Sequence, residues 1–301
     1  MRLQTLFSFL GAAVACFDLA TAAPMDTNEK TWNKRSTTYT QHCTPDNLNG
    51  INAAVVEAKA MLNVVILRTT DFYNWLENLN NGANLDIRNE VALLRSTART
   101  FESIFGFVWF SAGDARNAPG LARVKFILDF ATKFSNGLDT FWNNGQFEVY
   151  CSDDWLKTVA PDGSVSTTPF VYWDGRTTST NQMIKDYRSS GGGVTLSDKA
   201  NTQYASGQVN LDEFQGSTYT SALLHELSHA RMIIGENEEY LDDKACTVPG
   251  KTGSAYGWDC ISHLAQSNAD EAIKNADSWT YYVTALAFQK NDWSTGVSNI
   301  L

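Results

Sequence analysis

Apolar residues recur at three- and four-residue intervals through the first half of the chain, a spacing that predicts helices. Ile51 to Leu76, Arg88 to Phe110 and Leu121 to Trp142 all follow it. Asn80-Asn81-Gly82-Ala83-Asn84 and Asn117-Ala118-Pro119-Gly120 read as breaks between them. The middle differs. Phe147-Glu148-Val149-Tyr150 and Phe170-Val171-Tyr172-Trp173 are short β-like runs separated by Pro161-Asp162-Gly163. Gly193 to Leu196 and Gly207 to Leu211 read as strands that lead into a further helix. The second would be either a sheet edge able to take an extended peptide or a plain hairpin. Ser217 or Thr218 can cap that helix, Leu223, Leu227, Ala230 and Ile234 recur at helical spacing, and Gly235 can stop it. A last helix is expected over Asp270 to Phe288. The pattern predicts a mainly α chain with a small β-sheet (α+β), and the aromatics between Phe101 and Trp173 belong mostly to its core.

The helix after Thr218 carries the chemistry. It contains His225-Glu226-Leu227-Ser228-His229, an HExxH motif in a chain with only 4 histidines. Residues four apart share a helix face, so both imidazoles can reach one metal ion. Glu226, beside the first His, can act as general base toward a water at that metal. The flanks, Ser221-Ala222-Leu223-Leu224 and Ala230, are small or apolar. Polar groups embedded there need partners, and a metal is the simplest.

The N-terminus reads as a leader. Arg2, an apolar core from Leu6 to Cys16 and small residues at Ala20 to Ala23 fit a signal peptide over residues 1–22. Lys34-Arg35 marks a dibasic cut that would end a propeptide at 23–35 and leave one domain over 36–301. No other stretch reads as long enough to span a membrane. Four cysteines remain after the leader, and two disulfides are expected in one of three possible pairings, Cys43–Cys151 with Cys246–Cys260 being preferred. The formal net charge of −10 argues against nucleic acid or an anionic membrane as partner. A secreted monomer is expected.

A catalytic zinc usually takes three protein ligands and keeps one open position. The positions that would carry Gly and His in the metzincin extension are Met232 and Gly235, so that form fails. No Glu lies between Glu239 and Glu271, which leaves Asp242, Asp243, Asp259, Asp270 or Asp277. The order of motifs is His225 to His229, then Gly250-Lys251-Thr252-Gly253-Ser254-Ala255-Tyr256-Gly257, then Asn275-Ala276-Asp277-Ser278-Trp279. Over about residues 205 to 290 this resembles the fungal aspzincins, the deuterolysin-like metalloendopeptidases. Those proteins carry HExxH, GTxDxxYG and an Asn-Ala-Asp-aromatic helix. The resemblance implies a zincin-like metalloprotease fold, one Zn2+ per chain and protein or peptide substrates. It also implies His225, His229 and an aspartate as ligands, with Glu226 as general base and Tyr256 beside the metal as oxyanion donor. The family's Asp three residues before the Tyr is Gly253 here. A variant branch with an earlier apolar-x-Asp turn matches Leu241-Asp242-Asp243, which makes Asp243 the first choice, with Asp242 and Asp277 as alternatives. If it is not a ligand, Asp277 would orient a zinc-bound imidazole. His42 and His263 read as structural or surface residues. The rival reading is an extracellular zinc-binding or surface-interaction protein without catalysis, against which the intact Glu226 argues.

Overall fold

The computed structural model describes residues 45–142, 202–215, 218–235 and 238–301, with positions 156–157, 159, 162–163, 165, 171–174 and 183–185. The leader, the dibasic site, His42, the Cys43–Cys151 pair and the expected strands at 147–150 and 193–196 lie outside them.

Helix α1 (Pro45–Asn80) is longer than its apolar repeat required. Ile51, Val55, Ala58, Leu62, Val65, Phe72, Leu76 and Leu79 are buried, and their steps of three, four or seven residues form one stripe. Over Leu48–Asn80 it is long and apolar enough to cross a membrane. That corrects the expectation that no such stretch follows the leader, although here the stripe packs into the protein core. Helix α2 (Ala92–Phe105) is shorter than Arg88–Phe110, because Ile87–Asn89 forms a separate 3-10 turn capped by Asp86. Helix α3 (Asn117–Gly137) begins inside the expected Asn117–Gly120 break. Pro119 falls in its first turn, where amides have no intrahelical partner to lose. A π turn over Leu138–Trp142 follows.

Among the described residues the strands are short. β1 (Leu156–Lys157), β2 (Val171–Asp174) and β3 (Met183–Lys185) form an antiparallel sheet, pairing Lys157 with Trp173 and Tyr172 with Ile184. Gly207–Leu211 is not a strand and offers no sheet edge. It is a turn with one bridge, Asn210 to Val297, entering a 3-10 helix at Leu211–Phe214 that Asn210 and Glu213 close with a capping box.

The expected helix from Thr218 to Gly235 divides into α4 (Tyr219–Ser228) and α5 (Arg231–Ile234). Helix α6 (Gly257–Ser267) follows. The expected Asp270–Phe288 helix also divides, into α7 (Ala269–Ala272) and α8 (Ala276–Ala287). A hairpin of β4 (Asn291–Asp292) and β5 (Asn299–Ile300) ends the chain.

Every residue of α8 is buried, so the other helices assemble around it. Trp279 packs on Phe130 and Phe134 of α3, and Tyr282 on Phe101 and Phe105 of α2. The Tyr282 hydroxyl meets Thr69 of α1 at 3.0 Å. Arg68 is buried beside them. Its guanidinium donates to the Leu286 and Leu93 carbonyls and to Thr97 Oγ1, joining α1, α2 and the end of α8. Burial lowers its pKa to about 10, so it stays charged at neutral pH.

The N-terminal helices also seat α4 and α5. Thr220 of α4 donates to buried Glu57 of α1. A Cβ at Gly50 would lie 2.6 Å from the Tyr219 ring, and one at Gly137 would lie 1.9 Å from the Ile233 carbonyl oxygen. Glycine at 137 is therefore what lets α3 touch the backbone of α5. Gly137→Ala should cost about 1–3 kcal/mol through overpacking, seen as a lower midpoint in chemical denaturation. An unchanged midpoint would show that the contact yields freely.

Candidate metal centre

Helix α4 starts where Thr218 Oγ1 accepts the Ser221 amide at 3.1 Å, and it carries His225 and Glu226 in its last turn. His229 is the C-cap, still in the right-handed helical region. The four-residue spacing therefore survives the helix end, and the two imidazole centroids lie 5.2 Å apart. The chain then turns back through α5 and Gly235. Leu241 N donates to Ser228 O at 3.1 Å, and His229 Nδ1 donates to Leu241 O at 2.7 Å. A carbonyl can only accept, so the proton sits on Nδ1 and leaves His229 Nε2 as a lone-pair donor.

The same return segment delivers the carboxylate. Asp242 N donates to Lys274 O and Ala276 N donates to Asp242 O, each at 2.9 Å, a parallel bridge to the start of α8. Asp243 Oδ1 thereby comes to 3.3 Å from His225 Nε2 and 3.5 Å from His229 Nε2. Among the described residues, His225, His229 and Asp243 form a group that could hold a metal ion, one donor atom from each lying within 4.8 Å of the others. Two imidazole nitrogens and a carboxylate oxygen suit zinc. Asp242 points elsewhere, its side chain 46% exposed and 3.9 Å from Lys244 Nζ. Asp259 is paired with Lys251 on the surface, and Asp270 is exposed.

Asp277 lies on the other side of His225, with Oδ1 3.6 Å from Nδ1. Its Oδ2 accepts the Gly257 amide at 2.8 Å, at the start of α6. It therefore touches the imidazole from behind rather than joining the donor group. Tyr256 packs edge-on to His225 at 5.6 Å, is half exposed, and its phenol reaches the Asp243 carboxylate. Gly253 sits exposed in the loop between Cys246 and Cys260, which are joined by the expected disulfide. His263 lies outside the centre, bonded to Thr247 Oγ1 at 2.8 Å.

The charges compensate one another. Burial works against a charged His225, but Asp243, Asp277 and Glu226 outweigh it and push its pKa up to about 10. Burial works against a charged Asp243 too, yet bonds from His225, His229 and Tyr256 hold it well below the ordinary carboxylate range. Burial and the Asp243 carboxylate push the Tyr256 phenol up. Two features had no sequence signal: the Leu241 carbonyl, a backbone group, and Asp212, which accepts the Trp258 amide at 2.8 Å and the Tyr281 hydroxyl.

Residues 201–284 match the aspzincin family model, described as lysine-specific metallo-endopeptidase. The matched segment holds His225, Glu226, His229, Asp243, Tyr256 and Asp277. No curated protein and no solved structure matches the chain. The aspzincin match begins after α3, so the helices that seat α4 lie outside it.

Zinc titration against a competing chelator should show severe loss for His225→Ala, His229→Ala and Asp243→Ala, and little for Asp242→Ala. Asp277→Ala should weaken binding by about 10–100-fold, the usual effect of removing a group that orients a ligand. Loss of metal in Asp277→Ala with retention in Asp243→Ala would exchange their roles. In the metal-free protein His225 keeps its proton up to about pH 10, so protons compete with the metal. Zinc affinity should rise with pH through the neutral range, with about one proton released per ion. Calorimetry in buffers of different ionisation enthalpy would read that proton directly; no buffer dependence would refute it.

Proposed function

We propose that this protein is a secreted zinc-dependent endopeptidase of zincin-like fold. The carrying observation is the convergence of His225 Nε2, His229 Nε2 and Asp243 Oδ1 within 4.8 Å, with Glu226 on the same helix turn as the two imidazoles. A zinc ion held by these three groups would polarise a scissile carbonyl and lower the pKa of a water. Glu226 takes the proton from the attacking water and returns it to the leaving amine. Tyr256, exposed beside His225, donates its phenolic hydrogen to the oxyanion of the tetrahedral intermediate, and its raised pKa keeps that hydrogen in place. Asp277 holds His225 in orientation from its Nδ1 side.

Substrates are proteins or peptides, and the family model's description makes bonds beside lysine the first preference to assay. The disulfide suits an oxidising compartment. In this reading residues 1–22 direct export, cleavage after Arg35 releases 36–301, and the mature chain acts as a monomer.

Glu226→Gln should abolish chelator-sensitive casein hydrolysis while leaving zinc bound, because the Glu supplies a base and no metal bond. Tyr256→Phe should lower kcat by about 100-fold or more with KM little changed, the cost of one oxyanion donor. Substantial turnover in Glu226→Gln would sink the mechanism. A wild-type protein that holds zinc but cleaves neither casein nor lysine-containing peptides would favour the non-catalytic zinc-binding reading.

A further inference from the structure

Asn275 stands at the N-cap of α8, where an Asn side chain ordinarily accepts an amide of the first helical turn. Here it makes no such bond. Its side chain reaches instead to Ser278 of α8 and into the loop that joins Asp243 to Tyr256. Its Oδ1 accepts the Lys244 amide at 3.0 Å, and its Nδ2 donates to the Ala255 carbonyl at 3.3 Å and to Ser278 Oγ at 3.0 Å. The Ala255 amide in turn donates to the Lys244 carbonyl at 2.5 Å. Asn275, Lys244 and Ala255 therefore close a ring of three hydrogen bonds. Only one orientation of the side-chain amide satisfies it, since Lys244 N–H needs an acceptor and Ala255 C=O a donor.

The two loop members of that ring are the covalent neighbours of the residues that matter. Lys244 follows Asp243, and Ala255 precedes Tyr256. We infer that Asn275 is a positioning residue that sets the Asp243 carboxylate and the Tyr256 phenol relative to each other across His225. The inference rests on the proposed metal centre. Asn275 and Ala255 are fully buried, so water cannot replace a lost partner, and bonds in a low-dielectric ring reinforce one another. The disulfide Cys246–Cys260 and the Ala245–Ser254 bridge close the loop farther out. They hold its outer part together, while its register against α8 is set by the amide of Asn275, the backbone bridge at Asp242 and the bond from Gly257 N to Asp277.

The test compares Asn275→Ala and the similarly branched Asn275→Leu with Ser278→Ala, which removes the partner outside the ring. Both Asn275 variants should bind zinc about 10–100-fold more weakly, show an altered absorption spectrum when loaded with Co2+, and lose kcat with KM little changed. Ser278→Ala should match the wild type in all three. A folded Asn275 variant with wild-type zinc affinity, Co2+ spectrum and kcat would overturn the inference. Should neither variant fold, amide exchange on the wild-type protein decides. The Lys244 amide should exchange as slowly as that of Trp279 inside α8; exchange as fast as the exposed loop amide of Gly253 would overturn it. That measurement needs no metal. A wild type that neither binds zinc nor cleaves peptides would sink the functional reading alone, while Lys244 exchange would still decide the ring.

Discussion

A helix buried on every face has to find partners for its first amides inside the protein, and α8 is such a helix. Water cannot reach its start, so another segment must. The Asp242 carbonyl accepts the Ala276 amide, and the Lys274 carbonyl accepts the Asp242 amide in return. This obligation draws the 240s segment against α8 and leaves Asp243 facing the histidines. The negative charge of Asp277 is favoured in the first turn by the helix dipole, and there it reaches both His225 and the start of α6. The site is built at the mouth of a helix whose every residue is buried, and its order derives from that burial.

The N-terminal helices explain how a ten-residue helix ending at the HExxH motif stays in place. Helix α4 is too short to be stable alone. Its seat is made by Thr220 on Glu57 and the Tyr219 ring on Gly50, and α5 just after it is seated by the Ile233 backbone on Gly137. The same core cluster runs from Ile51 in α1 through Leu224 and Leu227 in α4 to Leu286 in α8. The residues outside the aspzincin match thus hold the motif helix rigid, which a site of three converging donors requires.

Electrostatics gives the centre its bias. His225 lies between two carboxylates, Asp243 at Nε2 and Asp277 at Nδ1. Without a metal, a proton on His225 balances them. A divalent cation held by His225, His229 and Asp243 would keep the favourable pairing with Asp243, with Asp277 still beside Nδ1. His229 obtains the same fixed orientation from a neutral carbonyl. The two imidazoles are therefore aimed by partners of different charge, one ionic and one not.

Much of this was legible in the residues alone. The apolar stripes of α1, α2 and α3 follow from local spacing, as does the Thr218 cap, because each depends on neighbours within a few turns. The HExxH pair could be read for the same reason: four-residue spacing on a helix is a local fact. Other features needed tertiary structure. Helix ends moved at Ala230 and at Ile273 to Asn275, where packing interrupts a pattern that reads as continuous. The 207–211 run, which reads as a strand, bonds residues 296–298 far along the chain and forms, among the described residues, a single bridge at Val297. Motif order left Asp242, Asp243 and Asp277 open as candidates, since adjacent carboxylates look alike in a string of letters. Their placement came from the bridge between Asp242 and Asn275, which turns one side chain outward and its neighbour toward the imidazoles. Spacing along a chain specifies which groups can share a face; only the packing of distant segments decides which of them meet.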